Sequence, residues 1–130
     1  MIVVDASAMV EALVGRDADP DLLDALAGDV DAPHLLDVEV FSVLRDLALG
    51  GKLDAAVAEE ARRDHLALTI TRHELAPFAD RVWALRHQFT SYDACHLALA
   101  EALEAPLYTC DAKLAGNGHG AEVRVLPLSH

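Results

Sequence analysis

The sequence predicts an α/β domain of three layers, in which helices cover both faces of a mainly parallel sheet of four to five strands. Short apolar runs rich in β-branched residues alternate with longer segments whose apolar residues recur at helical spacing. Such alternation is typical of parallel sheets, because each parallel strand needs a crossover connection that is usually a helix. A hydrophobic content of 53% in 130 residues is ample for a core, so we expect residues 1–130 to form a single domain.

The first 34 residues predict a strand, two helices and a connector. Residues 1–4 (Met-Ile-Val-Val) are apolar throughout, as in a central strand. A helix from Ser7 to Val14 follows, and Ser7 is its expected N-cap. Pro20 suits the first turn of a second helix that ends at Gly28. We expect residues 32–34 to connect this helix to the next one.

The middle of the chain predicts three helices and one edge strand. The first helix spans residues 38–48 and stops at the glycine pair 50–51. Asp54 is the expected cap of the second helix, which continues through about residue 66. The alternating segment 68–71 predicts a short edge strand. The third helix is expected over residues 77–86.

The last third predicts a helix between two strands of the same sheet. The helix runs from Tyr92 to Leu103, and the apolar run 107–110 that follows is a strand. Residues 122–126 predict the final strand. With segments 1–4 and 68–71 this gives four strands.

Four acidic residues lie where a predicted strand ends or a predicted helix begins. Asp5 and Asp111 each end a strand, whereas Glu39 and Asp93 lie near the starts of two helices. The C-terminal ends of parallel strands and the N-termini of the following helices meet at one sheet edge, where ligands bind. Carboxylates gathered there repel one another unless some protonate or a cation joins them. Oxygen ligands suit Mg²⁺ or Mn²⁺, so the pattern predicts a metal-dependent nuclease.

Each carboxylate also has a simpler structural interpretation. The helix macrodipole stabilises an acidic residue in the first turn by a few tenths to about 1 kcal/mol. Taken singly, Glu39 and Asp93 fit this role better than that of a ligand, and Asp111 could cap a following turn. Asp5 has no such explanation, because Ser7 is better placed to cap the first helix. The joint placement of all four favours the metal site.

The net charge of −12 is unusual for a protein that touches nucleic acid. The charge is distributed unevenly along the chain. The segment 17–31 carries acidic residues and no Lys or Arg, whereas the segment 62–86 is locally basic. Two interpretations of this basic segment stay open, namely solvated helix faces and a patch that guides phosphates. The arginines concerned are Arg62, Arg63, Arg72, Arg81 and Arg86.

The cysteines and the N-terminus predict a reducing compartment. Cys95 and Cys110 are too few for a disulfide scaffold and are expected to be buried small hydrophobic residues. The N-terminus lacks a basic segment, and no apolar run is long enough to span a membrane. We therefore expect a cytoplasmic protein with no membrane contact. The histidines at 34, 65, 73, 87 and 119 are expected at the surface, and no HxxxH or CxxC pattern supports zinc.

Four stretches carry a family resemblance through their order and spacing. They are residues 2–8 (IVVDASA), residues 35–40 (LLDVEV) with Leu44-Arg45, residues 90–100 (TSYDACHLALA) and residues 105–111 (APLYTCD). In these stretches the chain resembles a PIN-domain ribonuclease, specifically the VapC-like toxin component of VapBC-type toxin–antitoxin pairs. The resemblance extends over nearly the whole length and implies a PIN-like version of the three-layer fold.

The resemblance implies an Mg²⁺-dependent endoribonuclease that cleaves RNA, acts as a homodimer and is silenced by a cognate VapB-like antitoxin. The residues that match the acidic quartet and the small hydroxyl residues beside it are Asp5, Glu39, Asp93, Asp111, Ser7 and Thr109. An antitoxin of this kind also packs an apolar segment across helices near the site. The apolar residues expected to receive it are Leu22, Leu23, Leu26, Val40 and Leu44.

The matched residues suggest a division of roles in phosphodiester hydrolysis. We expect Asp5 and Asp93 to be the principal direct metal ligands, because a carboxylate-held ion can orient and acidify water and clamp phosphate oxygens. Glu39 and Asp111 would bind a second ion or hold bridging waters. Ser7 and Thr109 would orient water or a ligand.

The chain departs from the family's pattern at one segment and at one residue, neither of which puts the acidic quartet in doubt. The glycine-rich segment 116–120 matches poorly, and Asn117 is the only ligand candidate there. His96 stands where many relatives have an aromatic residue.

Two other functions remain open from the sequence. An Mg²⁺-dependent phosphatase-like hydrolase also places acids at strand ends, but such enzymes use a second Asp two residues after the nucleophile, and position 7 is Ser. A catalytically inactive PIN fold could act only as a binding protein. Metal-dependent cleavage of RNA would separate this second alternative from the enzyme.

Overall fold

The computed structural model describes all residues from Met1 to His130 and contains one five-stranded sheet. The strands are β1 (Ile2–Val4), β2 (Val30–Pro33), β3 (Thr71–His73), β4 (Leu107–Thr109) and β5 (Val123–Val125). Their order is β3-β2-β1-β4-β5, and every neighbouring pair is parallel. The predicted parallel sheet is confirmed.

Six α-helices and two 3₁₀ turns connect the strands. The helices are α1 (Ala6–Val14), α2 (Pro20–Leu26), α3 (Leu35–Leu49), α4 (Ala55–Ala67), α5 (Ala79–Ala84) and α6 (Ser91–Leu103). The 3₁₀ turns are Ala76–Phe78 and Ala112–Ala115. No helix is both long enough and apolar enough to cross a membrane.

The side chains of β1 alternate between two apolar cores and so divide the molecule into three layers. Ile2 and Val4 point into a core shared with α1, α2, α3 and α4. Val3 points to the opposite face, where α5 and α6 cover the sheet. This alternation follows from the period of two in a strand. The predicted three-layer arrangement is confirmed.

The strand β2 was missed, because the sequence predicted only a connector over residues 32–34. Asp31 and Pro33 both disfavour a strand on propensity alone. In the fold Asp31 is buried and its Oδ2 lies 2.7 Å from His73 Nε2 on β3. Tertiary pairing therefore overrides local preference. An edge strand follows α4 as predicted, but β3 covers Thr71–His73 and shares only Thr71 with the predicted segment 68–71.

Three helices differ from their predicted bounds, and the first two differences matter for the site. The predicted N-cap, Ser7, lies inside α1, and the cap is Asp5, whose Oδ1 accepts from the Ala8 amide at 3.0 Å. The helix α3 begins at Leu35, so Glu39 lies in its second turn. The helix expected over residues 77–86 is a 3₁₀ turn followed by the short α5.

The register of the sheet places the acidic residues at one edge. Val4 pairs with Tyr108, so the residues that follow β1 and β4 emerge side by side. The helix α3 begins directly after β2, and α6 starts at the same edge because it runs antiparallel to the strand that it precedes. The C-terminal edge of the sheet therefore collects both strand ends and both helix starts.

The C-terminal residues are held against α1 by a carboxylate that the sequence did not single out. Glu11 is fully buried, and its Oε1 accepts from the Ser129 amide at 2.7 Å. Burial alone would raise the pKa of Glu11, but hydrogen bonds from Ser129 and His130 prevail and hold that pKa below its ordinary value. Glu11 is therefore a structural anchor.

Candidate active site

Asp5 is the centre of a hydrogen-bonded group at the sheet edge. Its Oδ1 accepts from Ser7 Oγ at 2.7 Å, and its Oδ2 accepts from the buried hydroxyl of Thr109. Ser7 Oγ also accepts from the Cys110 amide at 2.8 Å. These bonds join the ends of β1 and β4 and fix the orientation of the Asp5 carboxylate.

Asp111 is tied to the same group through Thr109. The Asp111 amide donates to Thr109 Oγ1 at 3.0 Å. Its side chain caps the following 3₁₀ turn, since Oδ1 accepts from the Lys113 amide at 3.0 Å. Lys113 Nζ lies 3.6 Å from Oδ2 of the same carboxylate. Asp111 is therefore both a turn cap and a member of the acidic edge.

Asp93 lies in the first turn of α6, whose N-cap is Thr90. Burial raises the pKa of Asp93 above its ordinary value, and the negative charge of Asp111 contributes in the same direction. The charges of Lys113 and His96 act against the shift, whereas that of Asp5 adds to it. Asp5 and Asp111 thus lie close enough to Asp93 to disfavour its ionised form.

Glu39 joins the site through a partner that the sequence did not identify. His96 Nε2 lies 2.8 Å from Glu39 Oε1, and the imidazole is 1% exposed. The buried Nδ1 of His96 has no hydrogen-bond partner. Because Glu39 is in the second turn of α3, the helix-start interpretation of this residue is wrong. No local signal in the sequence links these two residues, because they lie 57 positions apart.

The carboxylates do not form a closed metal cage. No three His, Cys, Asp or Glu side chains converge closely enough to hold one ion by themselves. Mg²⁺ commonly binds through one or two carboxylates and keeps several waters. The donor atoms here are all oxygens, and the raised pKa of Asp93 shows that its ionised form is disfavoured without a cation. Such a site fits Mg²⁺.

Three histidines and both cysteines depart from their predicted placement. His65 is fully buried, and His73 and His119 are half-buried, whereas His34 and His87 are exposed as expected. Cys95 and Cys110 are half-buried rather than buried. Burial, with the negative charges of Asp5 and Glu11, raises the pKa of Cys110 to about 11. Its thiol stays protonated near neutral pH, so it is no thiolate nucleophile.

The arginines of residues 62–86 are largely engaged by carboxylates and do not form one free patch. Arg62 and Arg63 both contact Glu59, the latter at 2.9 Å. Arg72 Nε lies 2.7 Å from Asp37, and Arg81 Nε lies 2.7 Å from Glu101. Arg86 stacks over the Trp83 ring at 4.8 Å. This arrangement favours the interpretation as ordinary helix faces.

The PIN domain family matches residues 2–119 of this chain. Ribonuclease VapC9 of Mycobacterium tuberculosis is 38% identical over 128 residues, which cover 98% of this chain and 99% of that relative. The chain therefore belongs to the PIN-domain family, among the VapC ribonucleases. The resemblance predicted from four stretches of sequence is confirmed.

Two solved structures share the fold. A Pyrobaculum aerophilum protein, PAE2754, superposes with a TM-score of 0.70 at 21% identity and covers 94% of this chain and 87% of its own. A toxin–antitoxin complex from Klebsiella pneumoniae contains a chain with a TM-score of 0.55 at 19% identity, covering 87% of this chain and 88% of its own. Both likenesses support the three-layer architecture.

Proposed function

We propose that this chain is a divalent-metal-dependent endoribonuclease and the toxin component of a type II toxin–antitoxin pair. Membership among the VapC ribonucleases supports the reaction class. The observation that carries the proposal is the acidic edge itself, where burial and two neighbouring carboxylates raise the pKa of Asp93. Lys113 offsets only part of this charge, so a bound cation would balance the remainder.

We assign the direct metal contacts to Asp5 and Asp93, with Mg²⁺ as the natural ion and Mn²⁺ as an alternative. Glu39 and Asp111 would hold a second ion or bridging waters. When bound, the cation supplies an acidified water and neutralises charge that develops on the phosphate. This donor set is all oxygen, and the one imidazole beside it, that of His96, contacts Glu39. Such a set favours a hard ion over zinc.

The hydroxyl residues act by fixing a carboxylate. Asp5 accepts bonds on both oxygens, from Ser7 and Ala8 on Oδ1 and from Thr109 on Oδ2. A carboxylate held in this way is oriented before any ligand arrives, which lowers the cost of binding. Ser7 and Thr109 therefore support catalysis as positioning residues.

The experiment that tests the proposal is cleavage of a mixed single-stranded RNA pool by purified protein. We expect cleavage with Mg²⁺ or Mn²⁺, none with EDTA, and loss of cleavage in Asp93→Asn. A wild-type protein that binds RNA but leaves it intact with either metal would instead indicate the inactive binding protein.

An antitoxin partner and a homodimer are part of the proposal. The apolar segment of an antitoxin cannot pack on Leu22, Val40 or Leu44, as the sequence suggested, because these residues are buried in the core. Leu23 and Leu26 remain available and border an apolar cleft of about 260 Å³ between α1 and α2. Co-expression with the cognate antitoxin should abolish toxicity, and light scattering of the purified chain should give the mass of a dimer. We place the reaction in the cytoplasm.

A further inference from the structure

A cleft lined mostly by polar residues adjoins the acidic edge and shares Asp93 with it. The cleft has a volume of about 440 Å³, within the range of ligand-binding pockets. Its wall comes from the segment before α6, the first turn of α6 and the glycine-rich segment that the family resemblance left unexplained. The lining residues are Gln88, Phe89, Thr90, Asp93, Lys113, Gly116 and Asn117.

The composition of this wall is distinctive within the chain. The sequence contains a single glutamine and a single asparagine, Gln88 and Asn117, and both line the cleft. One of only two lysines, Lys113, lines it as well. A carboxamide presents a donor and an acceptor side by side and thereby matches the edge of a nucleobase. An ammonium group is a phosphate ligand.

The glycine-rich segment is shaped to approach Gln88. Gly118 has a φ of 109°, and a Cβ at this position would lie 3.2 Å from Gln88 Cδ. A side chain would be strained there and would crowd the carboxamide. The backbone at Gly118 therefore sets one boundary of the space in front of Gln88.

A set of hydrogen bonds holds the glycine-rich segment in place. Glu101 accepts from Arg81 Nε at 2.7 Å and from the Gly120 amide at 2.6 Å. His119 Nε2 lies 2.7 Å from the Leu114 carbonyl oxygen, and His119 Nδ1 accepts from the Ala121 amide at 3.1 Å. The cleft is consequently preformed, as a recognition site benefits from being.

We propose that this cleft holds the RNA nucleotide next to the scissile phosphate, with Gln88 and Asn117 contacting its base and Lys113 its phosphate. The inference rests on the proposed nuclease function and adds the residues that determine which base is preferred beside the cut. Sequence-specific recognition of RNA targets unpaired bases through hydrogen bonds to their edges. A cleft that shares Asp93 with the acidic edge places such a base beside the bond that is cut.

The base-contact part of the inference is tested by the variants Gln88→Met and Asn117→Leu, which remove the polar groups at nearly constant volume. A random single-stranded RNA pool is cut by each protein, and the new 5′ ends are sequenced. Wild type should prefer one base at a position flanking the cut. The double variant should lose about five- to a hundredfold of that preference while keeping its melting temperature. An unchanged preference in the double variant would overturn the inference.

The phosphate part is tested by Lys113→Met, with Lys52→Met as the matched control at the only other lysine. Lys52 is exposed in the turn after α3, away from the cleft. Lys113→Met should raise KM for all sequences alike and reduce the slope of log affinity against log salt by about 1. Equal effects of the two substitutions would contradict the assignment of Lys113.

RNA binding separates failure of this inference from failure of the proposed function. If wild type cuts no RNA with any metal, the proposed function fails. The affinities for short A, C, G and U oligonucleotides then test whether the cleft binds a base. Equal affinities of wild type and the double variant for all four would overturn it. Weakened antitoxin binding with unchanged RNA cleavage and affinity would also overturn it, because the cleft would then be a protein contact.

Discussion

Asp37 and Asp93 occupy the same kind of position, the first turn of a helix, yet their environments are opposite. Burial alone would raise the pKa of Asp37, but Arg72 and the buried His65 bond to it and hold the pKa below its ordinary value. Burial also raises the pKa of Asp93, and there the neighbouring charge of Asp111 adds to the shift. One carboxylate is neutralised within the protein, and the other is not.

The difference separates a structural carboxylate from a functional one. The Asp37 group ties α3, α4 and β3 together, with Nε2 of His65 and Nε of Arg72 each 2.7 Å from the carboxylate. Asp93 instead lies beside two further carboxylates, Asp5 and Asp111, at an accessible edge of the sheet. Charge that the fold does not neutralise marks a place where an external cation or substrate completes the structure.

The largest expected effect is loss of cleavage in Asp93→Asn. The substitution removes one negative charge with almost no change in shape, so we expect the cleavage rate to fall by more than about a hundredfold. Circular dichroism should show an intact fold. The matched substitution Asp37→Asn should leave kcat within about threefold of wild type, as expected for a role in stability alone. Similar rates for the two variants would remove the distinction.

Metal should stabilise the folded protein through the acidic edge. At a hundred times the dissociation constant, a single bound ion adds about 2.7 kcal/mol to the free energy of unfolding. Urea unfolding with Mg²⁺ and with EDTA measures this directly. Wild type and Asp37→Asn should gain alike and Asp93→Asn far less, whereas coincident curves for wild type would count against a metal site.

Removing the Asp37 carboxylate should destabilise the fold whether or not metal is present. Asp37→Ala leaves the buried His65 and the guanidinium of Arg72 without their acceptor, at a cost of about 2 kcal/mol. Chemical unfolding in EDTA gives the free-energy difference. Asp64→Ala, on the exposed face of α4, serves as the surface control and should change stability by less than about 0.5 kcal/mol.

Two buried histidines allow a matched test of the link to Glu39. His96 and His65 each place Nε2 near a carboxylate and leave Nδ1 unpartnered. His96→Leu should lower kcat by about tenfold or more because Glu39 loses its positioning partner. His96→Gln, which can still donate, should restore part of the rate. His65→Leu should reduce stability but leave the rate of the folded protein unchanged; a fall in its kcat as large as that of His96→Leu would break the comparison.

The smallest expected effect is the pH dependence of stability. It should have opposite signs for Asp37 and Asp93. The lowered pKa of Asp37 means that its contribution is complete above its unfolded pKa of about 3.9 and is lost as pH falls through the lower folded pKa. The raised pKa of Asp93 means that ionisation destabilises the metal-free fold as pH rises through the folded pKa. At pH 7 in EDTA, Asp37→Asn should therefore lower the melting temperature and Asp93→Asn should raise it. Both differences should shrink below about pH 4.

Local pattern was enough to predict the acidic edge, whereas the partners of its residues depend on contacts distant in sequence. Asp5, Asp93 and Asp111 follow from where strands end and helices begin. The bond between His96 and Glu39 joins residues 57 apart, and nothing in their local sequence indicates it. The strand β2 was missed for the same reason, since Asp31 is accommodated only by His73, 42 residues away.

Calorimetric titration of Mn²⁺ into wild type, Asp37→Asn and Asp93→Asn at neutral pH tests most directly whether the uncompensated charge at the acidic edge is a cation site. Wild type and Asp37→Asn should bind with dissociation constants within about threefold of each other, because Asp37 is already neutralised by Arg72 and His65. Asp93→Asn should bind more than about tenfold more weakly. Equal Mn²⁺ affinity of Asp93→Asn and wild type would contradict the account.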